Sequence, residues 1–213
     1  MAKQYGSHQI VPREREKGYN QNMTSDSRDN GYLTGQMLVA MPQMLDERFV
    51  KSVIYICAHT EDGAMGLVVN KILEDINFPD LLEQLDINSK TDGKNIGVHF
   101  GGPVESGRGF VLHSSDYQQD GTMVIDPQIA LTATTDILRD IAKGEGPAKS
   151  LLALGYAGWG PGQLDAELQA NGWLSVDAEP DLVFGIEPDN AWQVALAKIG
   201  IDASMLSGEA GHA

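Results

Sequence analysis

The chain has 213 residues, of which 42% are hydrophobic, and this is enough for one sizeable core or at most two small domains. The formal net charge is −15, and because a negative surface repels phosphate backbones, direct nucleic-acid binding is disfavoured. The single cysteine, Cys57, excludes an intrachain disulfide and a cysteine-rich zinc site, and it favours a cytoplasmic protein. No apolar run approaches the roughly 20 residues that cross a bilayer, so we expect no membrane contact.

The first 30 residues differ in character from the rest. They hold five basic and four acidic side chains, a net of +1, which leaves −16 for the remaining chain. They have almost no large apolar side chains and cannot bury enough surface to offset chain entropy. We therefore predict a disordered extension over residues 1–30 and a single domain over residues 31–213, within which neither an internal repeat nor a clear linker is visible.

Three consecutive strands are predicted at the start of the domain. Residues 37–41 form an apolar run, and residues 51–59 are rich in β-branched and aromatic side chains. An Asp-Gly turn at residues 62–63 leads into a third apolar run over residues 65–70. This arrangement is typical of a hairpin, so the last two strands are predicted to be antiparallel.

The most distinctive stretch is Val98–His113, where two short apolar runs flank a loop with four glycines and one proline. This pattern predicts a strand, an elaborate turn and a second strand, paired as an antiparallel hairpin. With Phe100 opposite Phe110, His99 and His113 become diagonal neighbours on one face, roughly 7–8 Å apart at Cα.

The remaining elements are predicted from periodicity, turn residues and helix caps. They are a helix over 78–85, a mobile loop over 88–95, strands over 122–125, 129–132, 150–156 and 172–176, helices over 136–143 and from about 163 to 170, a helical turn over 181–184 and a helix over 189–199. Strands come first and helices later, without regular βαβ alternation. The sequence therefore predicts an α+β fold in which helices pack around a mostly antiparallel, curved sheet.

Six segments, in this order and spacing, resemble the YqgE/AlgH family of bacterial proteins. They are Gly35–Pro42, Phe49–Tyr55, Gly63–Lys71, Phe100–Val104, Gly109–His113 and Gly155–Leu164. The resemblance implies a compact α+β fold whose bent sheet forms a pseudo-barrel flanked by helices. It implies no catalytic residues, since the family has no established enzymatic reaction. Its members are often labelled transcriptional regulators, a label that does not require contact with DNA.

Two histidines and a carboxylate form the first candidate site. His99 and His113, on one face of the predicted hairpin, could share a metal ion, or one could act as a general base that Asp116 orients. A metal site takes three or four ligands, however, so two ordinary half-exposed histidines are the simpler interpretation.

Two glycine-rich turns are candidate anion sites. The loop from Gly101 and Gly102 to Arg108 could cradle an anion with backbone N–H groups and one positive charge. The alternative is a tight turn that needs glycine for positive φ. Gly160 and Gly162 precede a helix whose first N–H groups attract anions, or they simply allow the preceding tryptophan to pack against the sheet.

Together these features favour a non-enzymatic, cytoplasmic binding or regulatory protein that uses no cofactor and recognises an unidentified protein or small molecule. Two other functions stay open at the level of sequence. One is a hydrolase or metal-dependent enzyme that uses His99, His113 and Asp116. The other is an acidic mimic of DNA that binds a basic protein and is released by salt. The oligomeric state is left open as well.

Overall fold

The computed structural model describes residues 32–88 and 96–203, and in these two ranges the chain forms nine strands and five helices. The predictions for residues 1–30 and for positions 89–95 of the polar loop lie outside the described residues. The strands are β1 (Gln36–Ala40), β2 (Val53–Thr60), β3 (Gly63–Val68), β4 (Val98–Phe100), β5 (Val104–Ser114), β6 (Thr122–Val124), β7 (Ile129–Thr132), β8 (Ser150–Trp159) and β9 (Trp173–Asp177). The helices are α1 (Phe78–Gln84), α2 (Thr135–Lys143), α3 (Gln163–Gln169), α4 (Pro180–Phe184) and α5 (Pro188–Lys198).

The strands form one sheet with the order β6-β7-β5-β8-β3-β2-β1-β9, and β4 joins it beside β8. Neighbouring strands pair antiparallel, except that β4 runs parallel to β8. The sheet curves into a half-barrel with the helices around it, which confirms the α+β fold predicted from the sequence. No helix among the described residues is long and apolar enough to span a membrane.

Helices cover both faces of the sheet and exclude water from it. α4 and α5 pack on one face, where Trp192 lies among strand residues such as Tyr55 and Leu112. α1 and α2 cover part of the opposite face, around Val98 and Leu152, and α3 covers the rest. Fully burying one such side chain is worth about 1.5–3 kcal/mol, so these contacts are the main source of stability.

The predicted hairpin of β4 with β5 is wrong, because β8 lies between them. β4 pairs with one edge of β8, where His99 lies beside Ala153, and β5 pairs with the other edge, where Phe110 lies beside the same Ala153. The glycines after β4 bring the chain into backbone contact with β8, since a Cβ on Gly102 would lie 2.1 Å from the carbonyl carbon of Tyr156. Glycines that resembled a tight turn therefore serve a close approach between two segments of backbone.

Candidate functional site

His99 and His113 lie on opposite faces of the sheet. In the pairing with β8, Val98 and Val111 both lie beside Leu152 and therefore share a face. Side chains alternate along a strand, so His113 shares that face and His99 points to the other. The hypothesis that the two imidazoles share a metal ion depended on the hairpin register, which the structure corrects.

His113 is a fully buried histidine whose two ring nitrogens are both hydrogen-bonded. Nδ1 donates to the carbonyl of Ser114 at 2.9 Å, and Nε2 accepts from the hydroxyl of Thr132 at 2.9 Å. The Thr132 oxygen lies 2.8 Å from the hydroxyl oxygen of Thr122. Burial lowers the pKa of His113, so its ring is neutral at neutral pH. His113 thus belongs to a buried polar network that joins β5, β6 and β7.

Asp116 is exposed and anchors the loop that follows β5. Its carboxylate accepts hydrogen bonds from the hydroxyl of Ser114 and, at 3.1 Å, from the amide of Ala148. The hydrogen bond from Ser114 lowers the pKa of Asp116, which is therefore ionised at neutral pH. Asp116 ties this loop to the segment before β8, and its influence on His113 is electrostatic.

His99 is also buried, with 7% of its surface exposed, but its Nδ1 atom has no hydrogen-bond partner among the described residues. Burial lowers the pKa of His99, and a hydrogen bond to the backbone of Val69 opposes this shift. The ring lines a cavity of about 590 Å³ between β4 and the connection from α4 to α5. A buried nitrogen without a partner is uncommon in native proteins, so His99 is chemically the less satisfied of the two histidines.

Gly101 and Gly102 serve chain packing in this structure. The Gly101 N–H donates to the carbonyl of Leu154 at 2.8 Å, so it is not free to hold an anion. A Cβ on Gly101 would lie 2.2 Å from the carbonyl oxygen of Gly155. Both glycines therefore have a steric reason that is independent of any ligand.

Gly160 and Gly162 lie at the turn from β8 into α3. The Gly160 N–H donates to the side-chain oxygen of Gln163 at 3.0 Å. Gly162 precedes the helix with φ of 68°, a left-handed conformation that glycine adopts without strain. The turn geometry explains this residue choice, and α3, with seven residues, is too short to form an anion site by itself.

Glu167 on α3 is a structurally important residue that the sequence analysis missed. Its Oε2 atom accepts hydrogen bonds from the indole N–H of Trp159 at 2.9 Å and of Trp173 at 2.8 Å. The two buried rings meet edge to face with their centres 6.0 Å apart. No feature of the sequence distinguishes this glutamate from an exposed one, because its partners lie on different strands.

Arg108 lines an open groove of about 770 Å³, which we call the Arg108 groove. The turn between β2 and β3 forms one wall, and β5 with the end of β8 forms the other. The residues that line it are Ala58, Thr60, Asp62–Met65, Val104, Glu105, Arg108, Phe110, Tyr156, Gly158 and Trp159. The lining thus combines charges of both signs with three aromatic rings.

A bulge in β5 presents Arg108 to this groove. Four residues, from Glu105 to Arg108, stand opposite the single residue Gly155 of β8. Glu105 has φ of 48°, which is a strained value for a residue other than glycine. The Arg108 guanidinium donates to Glu105 Oε2 at 3.0 Å, and its Cζ lies 5.0 Å from the centre of the Phe110 ring. The guanidinium is therefore held in place while 55% of the Arg108 side chain remains exposed.

The chemistry of the groove suits recognition. Arg108 supplies a permanent charge with several N–H donors, and Glu105 supplies carboxylate acceptors. Among the described residues, no group of three or more His, Cys, Asp or Glu side chains could hold a metal ion. Burial raises the pKa of the Cys57 thiol, so this cysteine is not an activated nucleophile.

Comparison with known proteins identifies the family. A model described as AlgH-like matches residues 37–204. The chain belongs to the AlgH-like family. This membership confirms the resemblance seen in the sequence, from β1 to the end of α5.

Relatives of the AlgH-like family match this chain over most of its length. A UPF0301 protein of Afipia carboxidovorans is 56% identical over 197 residues, which cover 89% of this chain and 94% of that protein. A UPF0301 protein of Rhodospirillum rubrum is 55% identical over 186 residues, covering 87% and 97%. The solution structure of the AlgH protein from Pseudomonas aeruginosa, at 41% identity and a TM-score of 0.72, covers 90% of this chain and 100% of that one. These names give the family and assign no reaction, ligand or partner.

Proposed function

We propose that this member of the AlgH-like family is a binding protein without catalytic activity of its own, and that it recognises a partner protein through the Arg108 groove, with an indirect regulatory outcome. The observation that supports this proposal is the strained bulge that holds Arg108 and Glu105 over the groove. A left-handed conformation at a residue such as Glu105 costs on the order of 1–3 kcal/mol, and such strain is concentrated at functional sites.

The composition of the groove favours a protein as the partner. Arginine and aromatic side chains are enriched at protein interfaces, and the groove brings Arg108 together with Phe110, Tyr156 and Trp159. The guanidinium already lies over the Phe110 ring and is paired with Glu105, so it loses little freedom when a partner binds.

The charge of the chain disfavours nucleic acid as the partner. The net charge is −15, and the groove itself sets Asp62 and Glu105 against the single basic residue Arg108. A phosphate backbone gains affinity from clustered Lys and Arg, which release counterions from it. The same groove suits a partner segment that brings one carboxylate for Arg108 and apolar side chains for the aromatic rings.

A charge reversal with a matched control tests the proposal. Arg139 on α2 makes an ion pair with Asp136 three residues earlier, as Arg108 does with Glu105, and it lies outside the lining of the groove. The full-length wild type and the variants Arg108→Glu and Arg139→Glu are immobilised and exposed to a lysate of the source bacterium. Each protein that is captured is purified, and its affinity for the wild type and for both variants is measured by calorimetry. We expect at least about tenfold weaker binding to Arg108→Glu, since interface arginines are frequent hot spots, and an unchanged affinity for Arg139→Glu.

Three results would contradict the proposal. A partner that binds both variants as tightly as wild type would exclude the groove. A basic partner that high salt releases equally from all three proteins would favour the acidic DNA mimic instead. Tight, salt-sensitive binding of duplex DNA by the purified chain would refute the argument from charge.

A further inference from the structure

The chain enters the described structure beside the Arg108 groove. Tyr32 is the first described residue, and its ring meets the ring of His59 edge to face, with the two centres 5.1 Å apart. Ala58 and Thr60, the neighbours of His59 along β2, line the groove. The N-terminal extension, residues 1–30, is therefore attached next to a strand of the groove wall.

The extension is long enough to reach the groove. Residues 16–31 separate Arg15 from Tyr32, and a linker of this length spans about 20–25 Å. Two groups that such a linker joins meet at an effective concentration on the order of 1 mM. Contacts too weak to hold a separate peptide therefore suffice to keep a segment of the same chain in the groove.

Three consecutive residues of the extension complement the charges of the groove. The groove combines two carboxylates, Asp62 and Glu105, with the guanidinium of Arg108. Residues 13–15 are Arg-Glu-Arg, two guanidinium groups around one carboxylate. The side chains of Glu105 and Arg108 are 48% and 55% exposed, so both are within reach of a bound segment. Arg108 donates to Glu105 through Nη1, which leaves N–H donors on the same guanidinium for a second carboxylate.

The extension also supplies apolar side chains next to these charges. Ile10 and Val11 are the only branched aliphatic residues within residues 1–30. Six residues in extended conformation, from Ile10 to Arg15, are about 20 Å long. One short stretch thus brings aliphatic side chains to the aromatic wall of the groove and three charges to its rim. This is the combination that the groove suits in a partner segment.

We propose that residues 10–15 occupy the Arg108 groove of their own chain, with Glu14 bound to Arg108 and the two flanking arginines facing Asp62 and Glu105. The extension then competes with a partner protein for the groove and has to leave before the partner binds. The docking stands on the contacts described above, whereas its regulatory consequence rests on the proposed function.

Paramagnetic relaxation in the full-length, ¹⁵N-labelled protein tests the docking. A nitroxide is attached to the new thiol of Gln9→Cys, since Cys57 is 2% exposed and stays unlabelled in the native protein. We expect it to broaden the amide resonances of Gly63 and Gly158, which line the groove. A mixture of ¹⁵N-labelled chains without nitroxide and unlabelled chains with it should show no broadening. Broadening in this mixture would assign the groove to the extension of a second copy and overturn the proposal.

Charge reversals with a matched control show whether the contact is specific. Glu14→Lys should reduce the broadening at least about fivefold, because an attractive charge pair becomes a repulsive one. Combining it with Arg108→Glu pairs opposite charges again and should restore the broadening. Asp26→Lys makes the same change of charge outside residues 10–15 and should leave it unaltered. Equal broadening in all four proteins would show that the extension only samples the neighbourhood of the groove, and the docking would be wrong.

The partner-protein assay tests the regulatory consequence separately. Because Glu14→Lys releases the extension, it should bind a captured partner at least about twofold more tightly than Asp26→Lys does. Equal affinity of the two variants would overturn the competition. The relaxation measurement needs no partner, so a failure of the docking and a failure of the proposed function give different results.

Discussion

Mild acid is expected to destabilise this protein through two of its buried histidines, His99 and His113. Burial lowers the pKa of both His99 and His113 in the folded chain. The unfolded chain therefore binds protons more readily than the folded chain. Stability that is present above the unfolded pKa of 6.5 is then lost as the pH falls below that value.

The size of the effect follows from proton linkage. A histidine that stays neutral when folded and has an unfolded pKa of about 6.5 loses about 1.4 kcal/mol of stability between pH 7.5 and 5.5. The two histidines together set an upper limit of about 2.7 kcal/mol. Some carboxylates have a lowered pKa, among them Asp46, Asp116 and Asp181. Their contribution to stability is lost only below this pH window, because the pKa of an aspartate in the unfolded chain is 3.8.

Urea denaturation of the full-length protein at pH 7.5, 6.5 and 5.5, followed by far-UV circular dichroism, measures this loss. In His113→Phe, the loss of stability between pH 7.5 and 5.5 should shrink by about 1.4 kcal/mol. At pH 7.5 this variant should be about 1–3 kcal/mol less stable than wild type, because the carbonyl of Ser114 and the hydroxyl of Thr132 lose a hydrogen-bond partner. A wild-type protein whose stability is flat across the window, or a His113→Phe variant that keeps the full loss, would refute the assignment of neutral buried rings.

Three further changes test the structure. Gly102→Ala should destabilise the protein by more than about 3 kcal/mol or prevent folding, because the new Cβ would lie 2.1 Å from the backbone of Tyr156. The control is Gly107→Ala, because no atom lies within 4 Å of a Cβ at that position. Equal stability of the two variants would contradict the close approach of the chain to β8. Glu167→Gln should cost about 1–2 kcal/mol in urea denaturation, since a neutral oxygen replaces the carboxylate that accepts two indole N–H groups. Cys57 should react with a thiol reagent only at the rate of unfolding, because it is 2% exposed and burial raises its pKa. Rapid labelling of the native protein would show that the core is open at this position.

Local patterns predicted the individual elements well, because short-range physics determines them. α2 ends at Lys143, as the predicted helix over 136–143 does, and Gly144 follows it with φ of 80°, a conformation that commonly ends helices. The Asp-Gly turn before β3 forms the predicted hairpin, with Thr60 beside Gly63. The strand pairing of β4 could not be predicted in this way, since its partner β8 lies far along the chain and runs parallel to it. Two apolar runs around a glycine loop have the same local pattern whether or not a third strand separates them.

For the candidate site, individual residues could be selected from the sequence, but the groups that surround them could not. Arg108 was selected from the sequence because it is a lone basic residue within a glycine-rich loop. The opposite wall of its groove, which includes Thr60 and Met65, comes from β2 and β3, and only the fold brings it near. Likewise, alternation along the strand places His99 on the face opposite Val98, but the expectation of a half-exposed ring is wrong, because both faces of the sheet are covered. The burial of His99 and its unpaired nitrogen both depend on what packs against the ring.

β8 occupies the central position in the sheet. β8 pairs with β3, β4 and β5, and the chain crosses it closely at Gly155, whose φ is 70°. Its first residues line the cavity beside His99, and its last residues line the Arg108 groove. Glycine at the crossing has a steric cause, because a Cβ on Gly155 would lie 2.3 Å from the carbonyl oxygen of Gly102. The bulge that carries Arg108 stands opposite the same Gly155. The close backbone packing in the core and the strained, exposed feature on which the proposed recognition depends therefore meet at one residue of β8.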